Sequence, residues 1–148
     1  MSLMRRREFT RAIDSERIRQ AIKTAEQRTS GEIRVSIASF FWGRIRPVAE
    51  HTFRRLGMTK TVLRNGILFF IVPSRRRFIV LGDEGIHAKV GQDFWEKVSA
   101  AMSADFREGR FQEGLIKAIG EAGERLAAHF PFDASSDKNE LADDVDFQ

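Results

Sequence analysis

The chain has 148 residues, 42% hydrophobic and 31% charged, with a formal net charge of +4 and no cysteine. That length suits one domain with a substantial core, and the composition is that of an ordinary soluble protein. Without cysteine there are no disulfides, thiolate metal centres or cysteine nucleophiles, and no apolar run approaches the roughly 20 residues a membrane-spanning helix needs.

The basic start Met4-Arg5-Arg6-Arg7 is followed by polar residues instead of a signal peptide's apolar segment. Residues 1–14 therefore read as a basic lead-in, and the chain is expected to be cytoplasmic. Asp14 suits an N-cap, and Ile18, Ala21, Ile22 and Ala25 recur at helical spacing behind it. This helix should end before Thr29-Ser30-Gly31. From Glu32 the period becomes two, with Ile33, Val35 and Ile37 alternating with polar residues as in a strand with one buried face.

Pro47 and Gly57 frame a second helix whose inner stripe is Val48, Ala49, Thr52, Phe53 and Leu56. Gly66 to Val72 is apolar without alternation, the pattern of a strand buried on both faces. Pro73-Ser74-Arg75-Arg76 supplies a turn, and Arg77 to Leu81 returns as a third strand.

Two more helices are predicted by Phe94, Val98, Ala101, Met102 and Phe106 and by Leu115, Ile119, Leu126 and Phe130. Gly114, Gly120 and Gly123 in the last one each cost up to about 1 kcal/mol relative to alanine, which implies close backbone packing or a kink. Beyond Pro131 the apolar pattern stops, so residues 132–148 read as an acidic, flexible tail. That tail holds six acids and one base, and removing its −5 from the overall +4 leaves a body of +9. Such a pairing fits an anionic partner with the tail as internal competitor, or plain solvation of both parts. The predicted fold class is α/β: a small three-layer α/β/α domain, its mixed sheet carrying a central hairpin, with helices on both faces.

A strand, helix, strand unit makes the first two strands parallel, and the hairpin makes the third antiparallel to the second. If the turn pairs Val72 with Arg77, Gly66 faces Asp83 and Asn65 faces Glu84. The start of the first strand joins the same edge, bringing Thr29, Ser30 and Glu32 toward Asn65, Asp83 and Glu84. Two uses of these residues stay open. Carboxylates, an amide oxygen and hydroxyls are hard ligands suited to Ca²⁺ or Mg²⁺; Asp83, Ser30 and the glycines equally suit a helix cap and turns.

The opposite edge gathers Phe40, Phe41 and Trp42 with Arg75, Arg76 and Arg77. Aromatic faces beside guanidinium groups suit a single-stranded nucleic acid or an anionic membrane, and an exposed hairpin tip is often charged in any case. His51, His87 and His129 make no short-spaced ligand pair, and there is no phosphate-loop, dinucleotide or nucleophile-elbow motif. His87 beside Asp83 reads as a candidate base or as a solvent-facing turn residue.

The segments TSGEIRV (29–35), RNGILFFIV (64–72), FIVLGDEGI (78–86), DFW (93–95) and FREGRFQEGL (106–115) are similar, in the same order, to those of the TPM domain, once a domain of unknown function. The resemblance covers residues 15–131 and is strongest to short bacterial members without membrane anchors. It implies an α/β/α fold, Ca²⁺ binding in some members, and scattered roles that include an acid phosphatase and accessory proteins; for this chain Ca²⁺ is expected in preference to Mg²⁺. It also implies association with a membrane protein, for bacterial members one of the LemA type. Carried over by position, it points to Glu32, Asn65 and Asp83 as recurrent polar positions of the family, and these with Glu84 are the expected metal ligands.

One departure from the pattern concerns affinity: Thr61-Val62-Leu63 precede Arg64 where relatives carry an acidic residue. The expected function is a binding or accessory module, with Ca²⁺ at the polar edge, rather than an enzyme. The first alternative is a metal-dependent phosphatase with Arg64 as clamp. The second is binding of an anionic surface through Arg64, Arg75, Arg76, Arg77 and Trp42, nucleic acid being the disfavoured form.

Overall fold

The computed structural model describes residues 6–133 and 144–148. Among them are five α-helices, α1 (Arg6–Ala12), α2 (Ser15–Glu26), α3 (Ile45–Arg55), α4 (Glu84–Arg107) and α5 (Phe111–His129). The strands are β1 (Glu32–Ile37), β2 (Gly66–Val72), β3 (Arg77–Gly82) and β4 (Asp146–Phe147), in the sheet order β3-β2-β1-β4.

Local chemistry sets the first boundaries. The Asp14 carboxylate accepts the N–H groups of Glu16 and Arg17 at 3.0 and 3.3 Å, opening α2, and Ile18 and Ile22 on its inner face are fully buried. The basic lead-in contains a helix that its arginine-rich composition conceals. Phe9 and Ile13 lie one turn apart, and Phe9 is buried edge-to-face against Phe106 and Phe111.

The run Gly66 to Val72 lacks alternation because two cores share it. Ile67, Phe69 and Ile71 join Ile18, Ile22, Ile119 and Leu126 on one face. Leu68, Phe70 and Val72 join Ala49, Phe53 and Met58 on the other. The sheet is thus the middle of three layers. β1 runs parallel to β2 with Glu32 opposite Gly66, and β3 runs antiparallel to it with Val72 opposite Arg77 and Ile67 opposite Gly82. This is the register that the turn implies. The hairpin supplies one inner strand, β2, and one edge strand, β3.

β1 departs from the expectation of one buried face, since all six of its residues are buried. Part of the cover is the end of the chain. β4 pairs in parallel with β1, the Gln148 N–H donates to the Ile37 carbonyl, and the Ser39 N–H donates to the Gln148 carbonyl. Ser36 Oγ donates to Asp146 Oδ2 (2.8 Å), which also takes Arg55 Nη2 (2.7 Å). Gln148 Nε2 donates to Ser36 Oγ and Thr52 Oγ1. Of the segment read as a flexible tail, residues 134–143 lie outside those described, and 146–147 form this edge strand.

α4 extends the helix predicted around Phe94 to Phe106 back to Glu84, across a break at Gly91 (φ 74°, ψ 175°). In α5, a Cβ on Gly123 would stand 2.7 Å from the Ala25 Cβ, so this glycine permits the close approach of α2; Gly120 has open space.

Candidate functional site

The polar edge forms where β1 and β2 begin and β3 ends. The Glu32 N–H donates to the Asn65 carbonyl, and the Asp83 N–H donates to the Gly66 carbonyl (2.9 Å). Asn65 is 1% exposed, donates Nδ2 to Ser30 Oγ (3.3 Å), and has its own N–H bound by Thr61 Oγ1. The structure therefore assembles Glu32, Asn65, Asp83 and Glu84 on one edge, as the register requires.

Arg64 decides the chemistry of that edge. It stands at φ 53°, in the left-handed region, and its carbonyl accepts the N–H groups of Gly85 (2.8 Å) and Ile86 (3.3 Å) at the start of α4. Only glycine fits at 85, because a Cβ there would lie 2.2 Å from the Leu63 carbonyl oxygen. The turn thus carries the Arg64 guanidinium onto the carboxylates. Nε donates to Asp83 Oδ2 (2.7 Å), Nη2 to Asp83 Oδ1 (2.9 Å) and Nη1 to Glu84 Oε1 (3.2 Å).

This is a bidentate, charge-assisted pair, and hydrogen bonding to Asp83 raises the already high Arg64 pKa. Asp83 Oδ1 also accepts the Glu84 N–H (2.8 Å), so the residue caps α4 as well. Two of the expected divalent-ion ligands, Asp83 and Glu84, are consequently held by a cation that belongs to the chain. With Arg64 in place Asp83 has no oxygen without a donor, and among the described residues no three acidic or histidine side chains surround a point suited to a metal ion. Asp83 and Glu84 in this arrangement hold a guanidinium, and Ca²⁺ at these two carboxylates would have to displace it. His87 is exposed, and its Nδ1 accepts a hydrogen bond from Trp95 Nε1 (2.9 Å).

The opposite edge does not hold its three arginines as one patch. Arg75 folds back over the Phe41 ring (5.1 Å to the centroid) and donates to the Gly43 carbonyl (2.7 Å), strapping the loop that follows β1. Arg76 takes the left-handed conformation (φ 51°) that closes the hairpin, and with Arg77 it lines a cavity that Phe78 and Phe106 also border. Trp42, packed edge-to-face on Phe40, is 88% exposed.

Sequence reasoning also missed Asp105, a buried carboxylate at the end of α4. Burial pushes its pKa up, but hydrogen bonds from Arg110 and Lys117 outweigh that and hold it below the usual aspartate value. The partners lie five and twelve residues away, across the turn into α5, a spacing that no helix-face rule signals.

A parallel strand-helix-strand unit, a hairpin and an arginine-closed polar edge define a small α/β/α domain. The chain belongs to the TPM domain family, whose model matches residues 8–125. It is similar to the BA42 protein of the psychrophilic bacterium Bizionia argentinensis, known from an NMR structure, with 34% identity and a TM-score of 0.84 over 90% of this chain and 92% of that one. No curated protein matches, and no helix of the described residues is long and apolar enough to cross a membrane.

Proposed function

We propose that this TPM domain is a binding or accessory module for a membrane protein complex, and that its polar edge is a structural and recognition element rather than a hydrolytic centre. The observation carrying this reading is the Arg64 pairing. A metal-assisted phosphatase needs carboxylates open to an ion or to an attacking water, whereas both oxygens of Asp83 are committed to Arg64 and to the helix cap. The family resemblance supports the accessory role, with a LemA-type membrane protein as the partner to test by co-purification.

The decisive assay is turnover of p-nitrophenyl phosphate with Ca²⁺, Mg²⁺, Mn²⁺ or Zn²⁺, comparing the full chain with Asp83→Asn. No turnover above background in either protein is expected. Metal-dependent turnover that Asp83→Asn abolishes would overturn the reading in favour of a phosphatase.

A second reading, Ca²⁺ at this edge, is favoured by exposure: the Arg64 side chain is 38% exposed and that of Glu84 73%. The guanidinium can therefore swing into solvent without opening the core, leaving Asp83, Glu84, Asn65 and Glu32 as oxygen donors. Stabilisation of the unaltered chain by millimolar Ca²⁺ would support this reading.

A further inference from the structure

At the other end of the sheet a cavity of about 470 Å³ opens between the hairpin tip, the last turns of α4, the start of α5, and α1. Its wall is aromatic. Phe9, Phe78, Phe106 and Phe111 meet edge-to-face, with centroids 5.1 to 6.0 Å apart. Phe9 is buried, whereas the other three rings are half-buried, so they present apolar surface to whatever enters.

Among the described residues, the charged side chains of the lining are those of Arg76, Arg77 and Arg107. Arg77 and Arg107 are exposed, and neither forms an ion pair with another described residue. An apolar, aromatic hollow within the size range of small-molecule sites, about 300 to 1,000 Å³, thus carries the guanidinium groups of Arg77 and Arg107 at its rim. Its two halves ask for different parts of one ligand: a hydrocarbon or ring body for the wall, an anionic head for the rim.

We propose that this cavity binds an amphiphilic anion, a single apolar chain or ring system bearing one carboxylate, sulfate or phosphate head. The site lies at the opposite end of the sheet from Asp83 and does not depend on the state of Arg64. It also gives the arginines of the hairpin separate tasks, since Arg75 straps the loop after β1 while Arg77 is part of the cavity lining.

The test is calorimetric titration of the full chain with decanoate, decanol and decylammonium, all below their aggregation thresholds, alongside vesicles of phosphatidylglycerol. Saturable one-to-one binding of decanoate is expected, at least about tenfold tighter than either control, because only decanoate satisfies both rim and wall. Ser103→Phe, which fills the cavity from α4, should abolish it. The double variant Arg77→Gln/Arg107→Gln should weaken decanoate about tenfold and leave decanol unchanged. These two arginines are exposed, so the double variant decides the matter even if Ser103→Phe fails to fold. Equal binding of all three amphiphiles, no saturation, or binding to vesicles alone would overturn the proposal.

Discussion

Substituting Gly85 with alanine tests how the candidate edge is built. The added Cβ would lie 2.2 Å from the Leu63 carbonyl oxygen and 2.6 Å from that of Arg64, both of them backbone atoms that no rotamer change can move. The first turn of α4 must therefore retreat from the turn that carries Arg64, stretching the hydrogen bond from Gly85 to the Arg64 carbonyl. Overpacking costs roughly 1–3 kcal/mol and a lost hydrogen bond about 0.5–1.5 kcal/mol, so a loss of about 2–4 kcal/mol is expected. For a chain of this size that corresponds to a fall in melting midpoint of roughly 4–16 °C. Gly120→Ala provides the contrast, because nothing lies within 4 Å of its Cβ position inside α5. It should stabilise by roughly 0.5–1 kcal/mol through helix propensity and reduced unfolded-state freedom. Urea unfolding of both variants gives the comparison. A change in Gly85→Ala smaller than about 0.5 kcal/mol, within the range of an ordinary surface substitution, would refute the close approach of the two backbones.

Further expectations concern the chain's end and its acid response. Ser36→Ala removes the hydroxyl that joins Asp146 to Gln148 beneath the sheet, at an expected cost of about 1–2 kcal/mol; unaltered urea stability would show that β4 is not docked in solution. Asp105 has a lowered pKa in the folded chain, so its stabilising contribution is complete above the unfolded aspartate value and is lost as pH falls through the folded one. Asp105→Asn should therefore flatten the acid limb of a melting-midpoint profile while changing its shape little near neutrality, and an unchanged acid limb would remove Asp105 from the account.

The sheet was legible because its signals are local. Pro73 to Arg76 forces a turn, the turn fixes the register, and the register places Asp83 beside Gly66. The polar edge followed from the same reasoning. What could not be read was the direction of side chains leaving unusual backbone. Arg64 reaches Asp83 because it stands at positive φ, a conformation uncommon for a non-glycine residue and unsignalled by its neighbours. Arg75 and Arg77 are two residues apart and read as one patch, yet one crosses to Gly43 and the other borders a cavity. β4 is two residues long and follows an acidic stretch; its pairing depends on Ser36, Thr52 and Arg55, about a hundred residues earlier. Phe9 gave too little periodicity to announce a helix among arginines, and its burial follows from the distant rings of Phe106 and Phe111.

The claim that Arg64 serves as the edge's built-in cation is most directly tested by thermal melting of the unaltered chain, Arg64→Ala and Asp83→Asn, each with chelator and with millimolar Ca²⁺. Asparagine retains the capping oxygen of aspartate, so Asp83→Asn removes the charge while keeping the start of α4. The account predicts no Ca²⁺ response in the unaltered chain and a raised midpoint with Ca²⁺ in Arg64→Ala, where the carboxylates have lost their partner. A Ca²⁺-dependent rise in the unaltered chain that disappears in Asp83→Asn would contradict it and give the edge to the ion.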